Sequence, residues 1–168
     1  MKSTLIIFGS STGYTDTVAG TIASKLGLDN SAIVNITDLD AAQVAEAEVL
    51  LLGSSTWGDG DMQDDWYDGI KTVKGADLSG KLIGFFGCGD CESYPDTFCG
   101  ALGKLYHELE TSGATFIGAV PTDGYTFDDS EAVVDGQFVG CAIDDTNEDD
   151  KTEERINTWI AALRPHLG

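Results

Sequence analysis

Apolar runs of strand length alternate along this chain with amphipathic helical stripes, and that alternation limits the folds open to it. The runs are Thr4 to Phe8, Ala32 to Ile36, Val49 to Leu52, Lys81 to Phe86, Thr115 to Val120 and Phe138 to Ile143. Most are continuously apolar, as strands covered on both faces are. Between them, Val18, Ala19, Ile22, Ala23 and Leu26 fall on one helical stripe, Phe98, Ala101, Leu102, Leu105 and Leu109 on a second, and Ile156, Trp159, Ile160 and Leu163 on a third. Shorter helices are expected near Ala41 to Glu46 and Met62 to Val73. Asp150-Lys-Thr-Glu153 reads as a capping-box start for the last helix. Strand-helix alternation implies parallel strands joined by right-handed crossovers, hence a three-layer, doubly wound α/β sandwich with a five-stranded parallel sheet. One tract departs from the pattern. "PTDGYTFDDSEAVVDGQ", between Val120 and Phe138, has no helical period and reads as a long loop that splits the fifth strand.

Residues 1–168 are expected to form one domain, since the length suits a single core and no second apolar block follows the acidic tract. Nine Lys and Arg against 29 Asp and Glu leave a net charge of -20, which repels nucleic acid and anionic membranes and suits basic partners. Solubility or a salty interior would account for the acid equally well. No apolar stretch approaches the ~20 residues of a membrane span, and Leu5 to Phe8 is too short for a signal-peptide core. A cytoplasmic protein is expected. Four cysteines, Cys88, Cys91, Cys99 and Cys141, are too few and too unevenly spaced for a disulfide scaffold.

The first apolar run leads into "FGSSTGYTDT". In an open α/β sheet, ligands sit beyond the carboxyl ends of the strands, and a helix N-terminus there favours an anion. Ser10, Ser11, Thr12 and Thr15 add hydroxyl donors, and Gly13 lets the backbone close in. The loop matches neither the Walker nor the dinucleotide glycine pattern. A phosphomonoester fits it best; a Ser/Thr-rich helix cap is the other reading of the loop taken alone. Two more loops, "GSSTWGDGD" and "GCGDCESYPDTF", follow the third and fourth strands and carry Trp57 and Tyr94 at their tips. Flanking the phosphate loop, these two rings could sandwich a planar heteroaromatic.

Phosphate loop, Trp loop and Tyr loop together resemble those of the flavodoxins, small FMN-containing electron carriers, and "VPTDGYTFDDSEAVVDGQFVGCAIDDTNEDDKTEERINTWIAAL" resembles the inserted loop and final helix of their long-chain subclass. The resemblance covers essentially the whole chain and implies strand order 2-1-3-4-5. Carried over by position, it assigns Ser10, Ser11, Thr12, Gly13, Tyr14 and Thr15 to the FMN phosphate. Ser55, Thr56, Trp57, Gly58, Asp59 and Gly60 go to one side of the ring, and Cys88, Gly89, Asp90, Tyr94, Phe98 and Cys99 to the other. Asp90 would accept a ring N–H such as N3–H. No catalytic residue and no metal ligand is implied. Cys88 with Cys91, bulky Tyr14 and the Gly58-Asp59 pair depart from the family pattern.

The function implied is low-potential one-electron transfer between the semiquinone and hydroquinone of non-covalent FMN, without substrate turnover. A Gly58-Asp59 peptide that turns its carbonyl toward N5 would stabilise the semiquinone, and acidic surroundings would disfavour the anionic hydroquinone. Partners implied are basic-surfaced redox proteins, an NADP reductase or low-potential oxidoreductase as donor and a reductive enzyme as acceptor, docking on a monomer. Asp59, Asp61, Asp64 and Asp65 could steer them, or serve only as a favourable helix start. Two alternatives stand beside this function: an FMN-dependent two-electron quinone or NAD(P)H reductase, and a dithiol redox protein working through Cys88-Gly-Asp-Cys91. Trp66 and Trp159 read as packing aromatics.

Overall fold

The computed structural model describes residues 2–9, 14–57 and 60–168. Its sheet strands are β1 (Thr4–Gly9), β2 (Ile33–Asn35), β3 (Val49–Trp57), β4 (Asp61–Met62), β5 (Leu82–Cys88), β6 (Thr115–Phe116), β7 (Val120–Pro121), β8 (Val133–Val134), β9 (Gln137–Phe138) and β10 (Gly140–Ile143). The α-helices are α1 (Tyr14–Leu26), α2 (Ala41–Glu46), α3 (Asp65–Lys74), α4 (Gly100–Leu109) and α5 (Thr152–Leu167). The main sheet runs β2-β1-β3-β5-β10, all neighbours parallel. Numbered by its five principal strands, this is the order 2-1-3-4-5. The central strands β1, β3 and β5 are almost wholly buried, which explains their unbroken apolar runs.

The fifth strand is split. β6 pairs with Leu82 and Ile83 at one end of β5, and β10 pairs with Phe85 to Cys88 at the other. Between them the chain leaves the edge and folds residues 120–138 into a small antiparallel sheet, β7-β9-β8. The run expected from Thr115 to Val120 therefore breaks after Phe116. Gly118 takes φ +84, and Val120 joins the small sheet. Phe138 likewise belongs to β9 rather than to the strand at Gly140. The excursion is anchored by aromatic packing: Phe98 lies 5.8 Å from Phe127 and 6.0 Å from Phe138, and Tyr125 lies 4.6 Å from Phe138.

Three further expectations are corrected. β3 does not stop at Leu52 but continues to Trp57, because β1 and β5 still offer partners there and Trp57 then pairs antiparallel with Asp61. Trp57 is thus a strand-end residue. Helix α4 starts at Gly100, not at Phe98, because Cys99 is left-handed at φ +50. The capping box at Asp150 to Glu153 does not form. A 3-10 turn over Asp149–Lys151 leads into α5, whose N-cap Lys151 makes no side-chain cap bond. Trp66 and Trp159 are fully buried, and Trp66 Nε1 donates to Gly53 O at 2.8 Å.

Candidate functional site

A cavity of about 410 Å³ opens at the carboxyl ends of β3, β5 and β10, beside the first turn of α1. It is lined by Tyr14, Ser55, Thr56, Trp57, Cys88, Gly89, Asp90, Tyr94, Asp145 and Thr146. Trp57 and Tyr94 are 42% and 44% exposed, large rings that contribute little to the core. The Trp57 indole is oriented by donating Nε1–H to Ser55 Oγ at 2.9 Å. Thr56 turns its hydroxyl to α4, accepting from Ala101 N at 3.3 Å. At the β3-β4 hairpin Gly60 takes φ +93, and Gly100 approaches it so closely that a Cβ on Gly100 would stand 2.9 Å from the Gly60 Cα.

On the β5 side, Gly89 packs against the start of α4: a Cβ there would meet Cys99 N at 2.8 Å. Asp90 shapes the Tyr94 turn, its Oδ1 accepting from Ser93 N at 2.9 Å and Glu92 N at 3.2 Å, while Tyr94 N donates to Asp90 O at 2.9 Å. The Ser93 bond, foremost, holds the Asp90 carboxyl below its usual range. Oδ1 of Asp90 is thus engaged by the protein's own turn, and Asp90 lines the cavity, where the resemblance places an acceptor for a ring N–H.

Thr15 is fully buried at the start of α1, and its hydroxyl has no hydrogen-bond partner of good geometry among the described residues. It faces the Cys88 thiol. Burial pushes that thiol up to about 12, despite the Thr15 hydroxyl, with Asp145 and Asp144 adding to the rise. Burial and nearby acid likewise push Cys91 up to about 12. Both sulfurs are protonated at neutral pH, the wrong state for thiol-disulfide chemistry. The phenol of Tyr14 points toward the fifth strand; burial and then a hydrogen bond with Asp145 raise its pKa.

Four of the described assigned residues, Thr15, Gly60, Phe98 and Cys99, do not line the cavity. Phe98 is 1% exposed and belongs to the aromatic cluster that anchors the excursion. Cys99 is fully buried behind Gly89, its thiol within 3.8 Å of Ile143 O. Gly60 shapes the hairpin without lining the cavity. Ser10, Ser11, Thr12, Gly13, Gly58 and Asp59 lie outside the described residues. Asp145 and Thr146 were missed by sequence reasoning. The signal for them was available: they follow the fifth strand, and every carboxyl-terminal loop of such a sheet faces the ligand position.

Cys91, Asp144 and Glu148 bring their ligand atoms within 4.8 Å of one another behind the cavity. Their carboxylates are already engaged, Asp144 by Cys91 N and Asn147, Glu148 by Lys151 and Arg155.

The fit to a flat, anionic cofactor rests on this geometry. The cavity is walled by two exposed rings and bordered by Tyr14 at the N-terminus of α1, where the buried hydroxyl Thr15 Oγ1 has no hydrogen-bond partner of good geometry among the described residues. A parallel sheet of this order, with its cavity where the chain reverses direction between β1 and β3, defines a doubly wound α/β protein that takes a ligand at its topological switch point, a rule of which flavodoxins are themselves a standard example. The chain belongs to the flavodoxin family: the family model described as Flavodoxin matches residues 6–159. Flavodoxin 1 of Azotobacter vinelandii is 43% identical over 163 residues, spanning 95% of this chain and 94% of that one. Flavodoxin 1 of Escherichia coli K12 is 39% identical over 168 residues, spanning 99% and 96%. Among solved structures, Fusobacterium nucleatum flavodoxin bound to flavin mononucleotide superposes with a TM-score of 0.91 at 25% identity, covering 100% of both chains.

Proposed function

We propose that this chain is a one-electron carrier that holds non-covalent FMN in the cavity between Trp57 and Tyr94. The observation that carries the proposal is that cavity: two exposed aromatic walls at the carboxyl ends of β3 and β5, next to the N-terminus of α1. FMN, when bound, supplies single-electron steps that free flavin does not separate. The chain's residues supply the rest. Trp57 and Tyr94 stack on the ring and shield it from water. Thr15 and the N-terminal turn of α1 would hold the phosphate by hydrogen bonds and dipole, with no cation among Gly9, Tyr14 and Thr15. Asp90 and Asp145 line the cavity in a protein of net charge -20, so these acids would disfavour added negative charge on a group held there.

This role involves no substrate turnover. The high thiol pKa values of Cys88 and Cys91 weigh against the dithiol alternative, and the named relatives against a two-electron reductase. The partners this reading calls for are redox proteins with basic surfaces, an NADP reductase or low-potential oxidoreductase as donor and a reductive enzyme as acceptor, meeting a cytoplasmic monomer by transient docking. Stepwise anaerobic reduction of the purified protein, followed by visible spectroscopy and electron paramagnetic resonance, tests the function. Two resolved steps with a radical signal at half reduction are expected. A single two-electron step would favour the reductase, and no flavin uptake after adding FMN would refute the site.

A further inference from the structure

Behind the cavity, one amide group joins two carboxylates that follow different strands. Asn147 Nδ2 donates to Asp90 Oδ1 at 2.8 Å and to Asp144 Oδ2 at 2.9 Å. Asp144 follows directly on β10 and is fully buried; its Oδ2 also accepts from Cys91 N at 2.9 Å, and its Oδ1 from Asn147 N at 3.0 Å. Asp90 lies two residues past β5 and organises the turn that carries Tyr94. The two acids would repel each other across this gap. An NH₂ group is suited to relieve that, since it offers one proton to each and brings no acceptor from the same atom. Burial opposes ionisation of Asp144, and the hydrogen bonds from Cys91 and Asn147 outweigh it, so its carboxyl lies below the usual range. The buried charge is therefore present at neutral pH and needs its donors.

We infer that Asn147 is a positioning residue for the FMN site: its amide latches the Tyr94 turn to the end of β10 and so sets the gap between Tyr94 and the Asp145-Thr146 side of the cavity. The inference rests on the FMN reading of that cavity. It explains why the turn holds its shape although Glu92, Ser93 and Tyr94 are all exposed and contribute no core packing. Four bonds to the turn end on this latch or its acids: Cys91 N to Asp144, Glu92 N and Ser93 N to Asp90, and the Asn147 bridge itself.

The test compares wild type with Asn147→Asp and Asn147→Leu in two assays: quenching of FMN fluorescence on binding, and amide hydrogen exchange of residues 90–94 in the protein as purified. Asn147→Asp keeps the shape and replaces the donor by a third carboxylate, facing Asp90, Asp144 and the Cys91 thiol, with Asp145 and the Glu148-Lys151-Arg155 group nearby. Its FMN Kd should rise by about tenfold or more at about pH 8 and return to within about threefold of wild type near pH 5, where a shared proton restores a donor. Asn147→Leu should weaken binding by a similar factor at both pH values. Exchange at Cys91 and Ser93 should quicken by about tenfold or more in both variants. A merely structural residue would not make the loss in Asn147→Asp reversible by acid. Wild-type Kd and protection in both folded variants would overturn the latch alone. A wild-type protein that takes up no FMN would overturn the reading of the cavity and the latch's part in it.

Discussion

Single side chains in this site divide into walls, donors and inert groups. Trp57 and Tyr94 are the walls, exposed at the mouth and held by Ser55 Oγ and by the Asp90 turn. Trp57→Ala should weaken FMN binding by about tenfold, the order of one lost aromatic stack together with the apolar area it covers, as measured by fluorescence titration. Cys88 and Cys91 are inert. With both thiols pushed up to about 12, iodoacetamide at about pH 7.5 should leave them unmodified in the native protein and modify them in denaturant, a contrast that intact-mass measurement would read. Rapid native alkylation would revive the dithiol reading. Asp90, Asp144 and Glu148 all lie below the usual carboxylate range in the folded chain. Groups so depressed contribute stability above their unfolded pKa and lose it as pH falls through the folded value. The melting temperature should therefore hold from neutrality to about pH 4 on their account and fall below it, with the Asp144→Asn variant showing the shallower acid loss.

At the scale of elements, the excursion between β6 and β10 is the feature with its own core. Phe98 from the segment before α4, Tyr125 and Phe127 from the loop, and Phe138 from β9 pack as a cluster. Tyr125 also donates its hydroxyl to Ala142 O at 2.7 Å, and the Arg155 guanidinium lies 3.8 Å above its ring. A cavity of about 320 Å³ between this loop and α5, lined by Val120, Tyr125 and Arg155 among others, lies under that contact. Phe138 is fully buried at the centre of the cluster. Phe138→Ala should cost about 3–5 kcal/mol in urea unfolding, as large-to-small changes at buried aromatics do. If the excursion merely lay on the surface, the cost would be under about 1 kcal/mol. Because Phe98 belongs to this cluster, the same variant should loosen the segment before α4 that carries Tyr94, and with it FMN binding.

For the molecule as a whole, charge dominates. Nine cationic side chains stand against 29 acidic ones, and Lys71, Lys74 and Lys104 gather in one groove between α3 and α4, facing Glu108 and Glu131. The rest of the surface is correspondingly more acidic. Self-repulsion of this size destabilises the compact state and is screened by salt. The melting temperature should rise as NaCl goes from about 0.01 M to about 0.5 M, while the rate of electron transfer to a basic partner falls over the same range. Calorimetry and stopped-flow absorbance would measure the two. A partner rate indifferent to salt would remove the acid from any steering role.

How much of this was open to reading in the chain follows from range. Apolar runs and helical stripes are local, and they led to the layers and the split fifth strand, since a doubly covered sheet needs continuous apolar strands and each stripe needs a sheet face; the strand order came from the resemblance to the flavodoxins. The aromatic pair Trp57 and Tyr94 was legible for the same reason: each follows its own strand. What depended on contact across the fold was not. Phe98 looked like a ring neighbour because it follows Tyr94, yet the aromatics of a loop some 30 residues later draw it into the core. That Oδ1 of Asp90 is bound by Ser93 and Asn147 was likewise not legible, because Asn147 comes from the loop after another strand. Sequence by itself determined the principal strands, the helices and the sheet end at which the cavity opens, because these follow from the spacing of neighbours along the chain. Only the tertiary structure decided which side chains face that cavity and which hold the walls apart, because a hydrogen bond such as that from Asn147 to Asp90 joins groups 57 residues apart that meet only once β5 and β10 are paired.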